Sequence, residues 1–362
     1  MQRLVVVQPY LPRYRVALFD LLSAGLQKHN VTLRVVAPPA SGMQALRGDD
    51  EVDHPWLDTS RRWAPGIDLK VSYLGSRPWL SAADAIIVPA SATVLDTHLA
   101  FTHQRRRSAR IGLWGHIDNF VKPANKVDVA LERRHLKRAD HVFAYSQRGA
   151  TFALRQGVSP ARISVLNNTI DTEVLTRTAE ETETLAIQAF RSMHNLENAK
   201  VFSVLGGLDA DKEVPRLAKV LDLLSHRRDI KFLVAGNGAQ AHLLADAEQR
   251  GQVIRLGYVG DAEKALMART SLAFLNLGRV GLVAVDALAL QTPLITVIGY
   301  SLHAPEYEYL VFGRDVFEAP DDDRAIADFL SSFAPPEGPM STPPSIAAFV
   351  GNFETGILRM LA

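Results

Sequence analysis

The stretch LAFLNLGRVGLVAVDALALQTPLITVI (272–298) contains two short apolar runs, 272–276 and 293–298, joined by a glycine-containing turn and a segment of helical length. Apolar runs of this length are typical of strands that are buried on both faces, and a helix between two of them predicts a parallel crossover. After Arg279 the stretch contains one ionisable side chain, the carboxylate of Asp286. Because a lone carboxylate is costly to bury without a partner, Asp286 is a candidate for a special role.

The same alternation of apolar runs and helical segments extends through both halves of the chain. The first half has apolar runs at 4–8, 31–37, 85–90, 110–114, 142–146 and 163–167. The second half has them at 201–206, 231–236, 253–257, 272–276, 293–298 and 315–319. Two such series predict an α/β protein with two Rossmann-like, doubly wound domains.

Two segments without a strand pattern suggest where the domains end. The charged segment 172–199 predicts a surface helix at the boundary, and the proline-rich segment 334–344 predicts a loop before a final amphipathic helix. We therefore expect a first domain at 1–175, a second at 176–340, and a C-terminal helix at 341–362. Residues 40–80 have no pattern that assigns them to an element.

Composition excludes several classes of function. The chain has 362 residues, of which 47% are hydrophobic and 22% are charged, with a net charge of +1. This charge gives no global attraction to nucleic acid. The absence of cysteine excludes disulfides, thiolate metal sites and a cysteine nucleophile. The apolar run at 4–8 is too short for a signal peptide and no run is long enough to span a membrane, so we expect a cytoplasmic protein.

The segment HQRRRSARIG (103–112) clusters four arginines, at 105, 106, 107 and 110. Clustered arginines can attach a protein peripherally to anionic lipid, here at the inner face of the membrane. The alternative is a solvated helix end whose cations complement the helix dipole. The sequence leaves both interpretations open.

Glycine-containing loops follow three strands of the second half. In a doubly wound sheet, ligands bind where such loops meet helix N-termini. The loops are GGLDADK, with Gly207 and Lys212, AGNGAQ, with Gly236 and Gly238, and LGRVGL, with Arg279. Each loop alone is ordinary turn chemistry. Together, their backbone N–H groups and two cations favour a nucleotide diphosphate.

Asp286 points with the apolar side chains of its helix. A helix that begins near Gly281 places Leu282, Val285, Asp286 and Ala289 on one stripe. The carboxylate could pair with a backbone amide or a distant arginine inside the domain. Alternatively, it could accept hydrogen bonds from ligand hydroxyls, such as those of a ribose.

These segments resemble the motifs of retaining family-4 glycosyltransferases of the GT-B architecture. GRVGLVAVDALALQTPLI resembles the family's acidic motif, VLGGLDADK its donor loop and FLVAGNGAQ its second glycine loop. VSPARISVLNNTID (158–171) resembles the segment that ends the first domain, and HAPEYEYLVFGRDVFEAPDDD a stretch of the second. The resemblance implies two Rossmann-like domains that face a cleft, with the C-terminal helix crossing back to the first domain.

The resemblance also implies roles for individual residues. Lys212 would hold the donor diphosphate, and His116 in LWGH (113–116) would orient the sugar unless it is simply a core histidine. Arg279, beside the phosphate loop, could compensate for a missing family arginine or could be a solvated surface arginine. Asp286 would bind the ribose, and the backbone near Tyr258 and Val259 would read the base. The charge of the leaving group would be stabilised by the amides of Val280, Gly281 and Leu282. The implied substrates are a nucleotide-diphosphate sugar and a saccharide or lipid-linked acceptor, with no cofactor and no metal.

Four positions depart from the family pattern. Gly207 stands where the family has an arginine on the diphosphate, and Gly278 stands where it has its first glutamate. Asp286 replaces the second glutamate, and QPYLPRYR (8–15) replaces a glycine-rich loop. These departures leave three hypotheses: an active enzyme of polysaccharide or glycoconjugate synthesis, a catalytically impaired homologue that binds nucleotide sugar or serves as a partner subunit, and, ranked lowest, a nucleotide-sugar epimerase.

Overall fold

The computed structural model describes residues 1–42, 44, 45, 48–50, 53–62, 73–118 and 126–362, with the backbone alone at 105–107. Its contacts divide the chain into two compact units. The first consists of Met1–Ile170 together with Pro344–Ala362, and the second of Asp171–Pro343.

The first unit is built on a parallel sheet of seven strands in the order β3-β2-β1-β4-β5-β6-β7. Its strands are β1 Gln2–Val7, β2 Val31–Ala37, β3 Leu57–Thr59, β4 Ala85–Pro89, β5 Arg110–Gly115, β6 His141–Ala144 and β7 Ile163–Val165. Its helices are α1 Val16–Gln27, α2 Arg77–Leu80, α3 Leu95–Arg107, α4 Lys126–Arg138, α5 Gln147–Arg155 and the C-terminal α13 Ile346–Leu361. Apolar side chains are buried on both faces of the sheet, as the continuous apolar runs predict.

The second unit has six parallel strands in the order β10-β9-β8-β11-β12-β13. They are β8 Lys200–Leu205, β9 Ile230–Ala235, β10 Val253–Gly257, β11 Ala273–Leu275, β12 Leu294–Val297 and β13 Val316–Ala319. The helices are α6 Glu173–Glu181, α7 Thr184–Met193, α8 Val214–Leu223, α9 Ala245–Gln249, α10 Asp261–Thr270, α11 Val283–Ala289 and α12 Asp323–Ser332. The strand order reverses between β8 and β11, which is where a doubly wound sheet opens a crevice at its carboxyl edge.

All twelve predicted strands are present, and two expectations were wrong or incomplete. The segment 172–199 is not a single surface helix but two, α6 and α7, followed by the start of β8. The strand β3 lies in the region that the sequence left unassigned, and it is a three-residue strand at the edge of the sheet whose residues are partly exposed. Because it has no buried apolar run, local pattern gave no signal for it.

The C-terminal helix α13 belongs to the first unit, as the resemblance implies. Phe349 and Phe353 are fully buried on its inner face, and the ring of Phe353 lies 4.9 Å from those of Trp114 and Phe143. Among the described residues, no helix combines the length and the apolar character that a membrane span requires.

The arginine cluster of 103–112 is only partly described. Arg110 begins β5, and its guanidinium lies 3.3 Å from the carboxylate of Asp140. Its charge is therefore paired inside the first unit. The side chains of 105–107 lie outside the described part of the chain.

Candidate active site

Two loops meet at the point where the strand order of the second sheet reverses. The loop after β8 contains Gly207 and Lys212, and the loop after β11 runs from 276 to 282. The amide of Arg279 donates a hydrogen bond to the carbonyl of Asp211 at 2.7 Å, which ties one loop to the other. The structure therefore brings these two loops together, and their role in one site stays a prediction.

The glycines of the first two loops allow backbone to pack against backbone. A Cβ on Gly236 would lie 2.0 Å from the carbonyl oxygen of Gly206, and one on Gly238 would lie 2.4 Å from that of Leu208. Hydrogen bonds of 3.0 Å join Leu208 to Asn237 and to Gln240. Gly236 and Gly238 are thus required for contact between the loops. This packing explains why glycine stands at both positions, and it does not depend on a phosphate ligand.

Lys212 reaches from one loop to the other. Its ammonium donates a hydrogen bond to the carbonyl oxygen of Arg279, which also accepts one at 3.2 Å from the side chain of Asn276. Lys212, Gly207 and Asn276 line a small depression at this edge of the sheet. The predicted diphosphate lysine therefore lies beside Gly207, the position at which the family's arginine is missing.

Any side chain at position 278 would clash with the backbone of the neighbouring loop. A Cβ at this position would lie 2.4 Å from the carbonyl oxygen of Asp211 and 2.7 Å from the carbonyl carbon of Lys212. Cβ atoms do not approach backbone this closely, so the loop that holds Lys212 would have to move. The loss of the family's first glutamate is therefore coupled to the position of the Lys212 loop.

The amide of Val280 is already engaged. It donates a hydrogen bond at 3.1 Å to Nδ1 of His303, a residue that is 8% exposed and follows β12. This contact differs from the prediction that the Val280 amide faces the leaving group. Gly281 and Leu282 precede α11 directly, and Leu282 is its N-cap residue.

His303 is a site residue that the sequence analysis missed. Its ring stacks on Tyr307 with 3.9 Å between centroids and lies 4.9 Å from the ring of Tyr300. Burial lowers the pKa of His303 to about 4, helped by the positive charges of Lys212 and Arg279. The neutral ring accepts from Val280 at Nδ1, so its proton is on Nε2, which is buried without a hydrogen-bond partner among the described residues.

Asp286 faces Lys264. Its carboxylate is 3.0 Å from the Lys264 ammonium, and Asp286 is 7% exposed. Burial alone would lower the pKa of Lys264, but the Asp286 carboxylate outweighs it and the pKa is raised. The structural interpretation expected a backbone amide or an arginine as the partner of Asp286. The partner is instead a lysine. Every residue of α11 is buried, so Asp286 does not lie on a solvent-exposed face of this helix.

The loop after β10 borders this ion pair. Tyr258 is 53% exposed while Val259 is buried, and the phenol of Tyr258 is among the groups that raise the pKa of Lys264. The predicted base-reading segment therefore lies next to the residue pair that contains the predicted ribose ligand. Lys264 itself lies on α10 and was not singled out, because its spacing from Asp286 in the sequence carries no periodic signal.

His116 belongs to the first unit, unlike the other predicted site residues. It follows β5, is half-buried, and its ring meets the edge of Tyr145 at 5.0 Å. Both residues lie at the carboxyl end of the first sheet, which is the ligand-binding edge of such a sheet. No group of three or more histidine, aspartate or glutamate side chains within the described residues could hold a metal ion.

Comparison with known proteins supports the class that this geometry indicates, a two-domain α/β protein of the GT-B type. Residues 18–174 match the family model described as Glycosyltransferase Family 4, and residues 199–332 match the one described as Glycosyl transferases group 1. The two matches cover most of the chain, which belongs to the glycosyltransferases of GT-B fold. No curated protein matches it.

Solved structures agree on the fold at low sequence identity. HepE of Anabaena in complex with UDP-glucose has a TM-score of 0.62 at 13% identity, covering 92% of this chain and 89% of that one. A glycosyltransferase of Rickettsia africae has a TM-score of 0.62 at 13% identity, covering 99% and 96%. A UDP-GlcNAc 2-epimerase of Methanocaldococcus jannaschii has a TM-score of 0.58 at 12% identity, covering 99% of both chains. The shared fold alone therefore does not separate transferase from epimerase.

The packing of Gly278 predicts that restoring the family's acid will not help. Gly278→Glu should displace the Lys212 loop, lower the free energy of unfolding by about 1–3 kcal/mol, and weaken nucleoside diphosphate binding. The matched control is Gly351→Ala, at an exposed position of α13, whose new Cβ would meet nothing within 4 Å. Thermal unfolding and calorimetric binding measure both effects. A Gly278→Glu variant with normal stability and higher transferase activity would contradict the prediction.

The pKa of His303 predicts how stability depends on pH. Since its pKa falls from 6.5 to about 4 on folding, the unfolded chain takes up this proton first as pH falls. The stability that neutral His303 contributes is therefore complete above pH 6.5 and is lost as pH falls towards 4. His303→Asn keeps an acceptor for Val280 but does not titrate, so its stability should fall less over this range.

Circular dichroism melts across the same pH range test this difference. His135 and His141, whose pKa values burial also lowers to about 4, are present in both proteins and cancel in the comparison. Parallel pH profiles for the two proteins would show that His303 does not contribute.

Proposed function

We propose that this protein transfers a hexose from a nucleotide-diphosphate sugar to a saccharide or lipid-linked acceptor, with retention of configuration, in polysaccharide or glycoconjugate synthesis in the cytoplasm. The observation that supports this most strongly is the position of Lys212. Its ammonium lies where the loops after β8 and β11 meet, at the switch point of the second sheet. In a doubly wound fold this is where a nucleotide binds.

In the proposed reaction the bond between the anomeric carbon and the diphosphate oxygen breaks as the acceptor hydroxyl attacks. The leaving diphosphate gains negative charge, which the Lys212 ammonium and the amides of Gly281 and Leu282 stabilise. The proton of the acceptor hydroxyl passes to the departing diphosphate, so no pair of carboxylates is needed. Metal independence is part of the proposal because Lys212 supplies positive charge at the diphosphate.

The donor is proposed to be a uridine nucleotide sugar, since HepE binds UDP-glucose on the same fold. The base would contact the backbone at Tyr258 and Val259, and the ribose would bind the carboxylate of Asp286 beside Lys264. His116 would orient the sugar, as its family position implies. Arg279, whose charge helps to lower the pKa of His303, would supplement Lys212.

A second candidate is a homologue that binds nucleotide sugar without transferring it. Gly278 and Gly207 motivate it, because one acid and one arginine of the family are missing and the packing around Gly278 leaves no room for the acid. Such a protein would bind the donor through the same loops and act as a partner subunit. Measuring turnover of the donor distinguishes this homologue from an active transferase.

The test of function is release of nucleoside diphosphate from UDP-, GDP- and dTDP-sugars in the presence of saccharide acceptors. We expect release from a UDP-sugar and a loss of about a hundredfold or more in Lys212→Met. The control Lys219→Met makes the same change of charge at an exposed position of α8 and should be neutral. Saturable donor binding without release would favour the second candidate. Equal turnover by Lys212→Met would contradict the role of Lys212.

The Asp286–Lys264 pair allows the ribose role to be separated from a structural one. Asp286→Ala strands a buried ammonium, so it should cost roughly 2–4 kcal/mol of folding free energy. Replacing both partners, in Asp286→Ala with Lys264→Met, should recover much of that stability, since no unpaired charge remains. If Asp286 binds the ribose, nucleoside diphosphate affinity should stay ten- to a hundredfold weaker in the double variant.

Calorimetry and thermal unfolding on the single and double variants give the answer. Recovery of stability without recovery of affinity supports the ribose role. Affinity that returns together with melting temperature would show that Asp286 acts only through folding.

A further inference from the structure

The loop that follows β1 contains a buried arginine that has no carboxylate partner among the described residues. Arg15, at the start of α1, is 5% exposed. Its guanidinium donates to Asn168 at 2.7 Å and to Tyr145 at 3.3 Å, and both acceptors are neutral. Its Nη1 is buried and has no hydrogen-bond partner in the described part of the chain.

Aromatic rings surround the same guanidinium. Its central carbon lies between 5.2 and 5.6 Å from four ring centroids, those of Tyr14, Trp114, Tyr145 and Phe349. Cation–π contacts compensate part of the cost of burying the charge, but they do not replace hydrogen bonds.

A second arginine, Arg62, contacts the start of this loop and also has neutral acceptors. Arg62 donates to the carbonyl of Pro9, to Ser41 at 2.6 Å and to Gln44 at 3.2 Å. All three acceptors are neutral, and burial lowers the pKa of Arg62. No carboxylate of the described residues lies within 4 Å of either guanidinium.

Among the side chains that the structure describes, Arg15 is the only buried lysine or arginine. Half-buried cations elsewhere are bonded either to carboxylates or, like Lys212, to backbone carbonyls. Lys264 pairs with Asp286 at 3.0 Å, and Arg216 pairs with Asp321 and Asp323 at 2.6 and 3.0 Å. Arg15 is unusual because it is buried on neutral acceptors with one nitrogen unpartnered among the described residues. Guanidinium groups form bidentate hydrogen bonds with carboxylate and phosphate, so an anion would complete their coordination.

The position of this loop points to a substrate. The order of the first sheet reverses between β1 and β4, so the loop after β1 borders its switch point, as the loop after β8 does in the second sheet. We propose that Arg15, assisted by Arg62, which contacts the start of the same loop, binds a carboxylate or phosphate group of the acceptor, which is therefore an anionic saccharide or a saccharide phosphate. This assignment rests on the proposed transferase function and gives the chemical class of its second substrate.

The test measures binding of three probes to the full chain by calorimetry: glucuronate, glucose 6-phosphate and neutral glucose. We expect at least one anionic probe to bind ten times or more tighter than glucose, and which one does so separates carboxylate from phosphate. This preference should fall to less than threefold in Arg15→Gln and in Arg62→Gln. Arg34→Gln is the matched control, because Arg34 lies in the same unit and has a carboxylate partner, Asp58, at 3.8 Å.

Lys212→Met separates this proposal from the proposed function. The preference should survive in that variant while nucleotide binding weakens. Loss of the preference in Lys212→Met but not in Arg15→Gln would place the anion at the donor loops and overturn the acceptor assignment. If both arginine variants lose the preference for the anionic probe and the wild-type protein transfers no sugar, the anion site is supported and the transferase function is refuted.

Protein stability distinguishes an anion ligand from a structural tether. Trp56, Trp79 and Trp114 lie in the first unit and 171–343 contains no tryptophan, so tryptophan fluorescence follows the unfolding of the first unit. If Arg15→Gln does not fold, Arg62→Gln, which is only half-buried, carries the test. Folded arginine variants that keep the full preference for the anion, or a wild-type protein without any preference, would overturn the proposal.

Discussion

The close approach of peptide backbones at the carboxyl edge of the second sheet is the constraint on which the candidate site depends. Cβ atoms at Gly236, Gly238 and Gly278 would each lie within 2.4 Å of a carbonyl oxygen of the loop 206–212. Three loops therefore form one connected surface, held by hydrogen bonds between main chains. Lys212 keeps its position because its loop is fixed on both sides. The glycines therefore determine how the loops of the site pack against one another before any ligand binds.

Charged side chains at this edge form one balanced pair and also act on a buried histidine. Lys264 is neutralised by Asp286 at 3.0 Å, so that pair contributes little net field. Lys212 and Arg279 instead act on His303, whose lowered pKa keeps it neutral and able to accept from Val280. A diphosphate would meet the Lys212 ammonium at the loops and a neutral ion pair farther along the sheet. This division fits a ligand with an anionic end and a hydroxyl-bearing end.

The fold could be predicted from the sequence because strands buried on both faces produce continuous apolar runs. β3, with three partly exposed residues at an edge, produces no such run and was missed. The glycine loops were also found, since each follows a strand. The partners of the site residues were not, because Lys264 and His303 come from other elements, α10 and the loop after β12. Which loops become neighbours depends on strand order, and local periodicity does not encode that order.

The two sheets have related strand orders but use different chemistry at their switch points. In the second sheet the loop after β8 is glycine-rich, so main-chain groups and one lysine form the surface. In the first sheet QPYLPRYR occupies the corresponding place, and its prolines limit the backbone while Arg15 lies among aromatic rings. Main-chain groups are common to all sequences, whereas guanidinium and aromatic side chains select charge and shape. Recognition that distinguishes this chain from others of its fold should therefore be sought in the side chains of the first sheet.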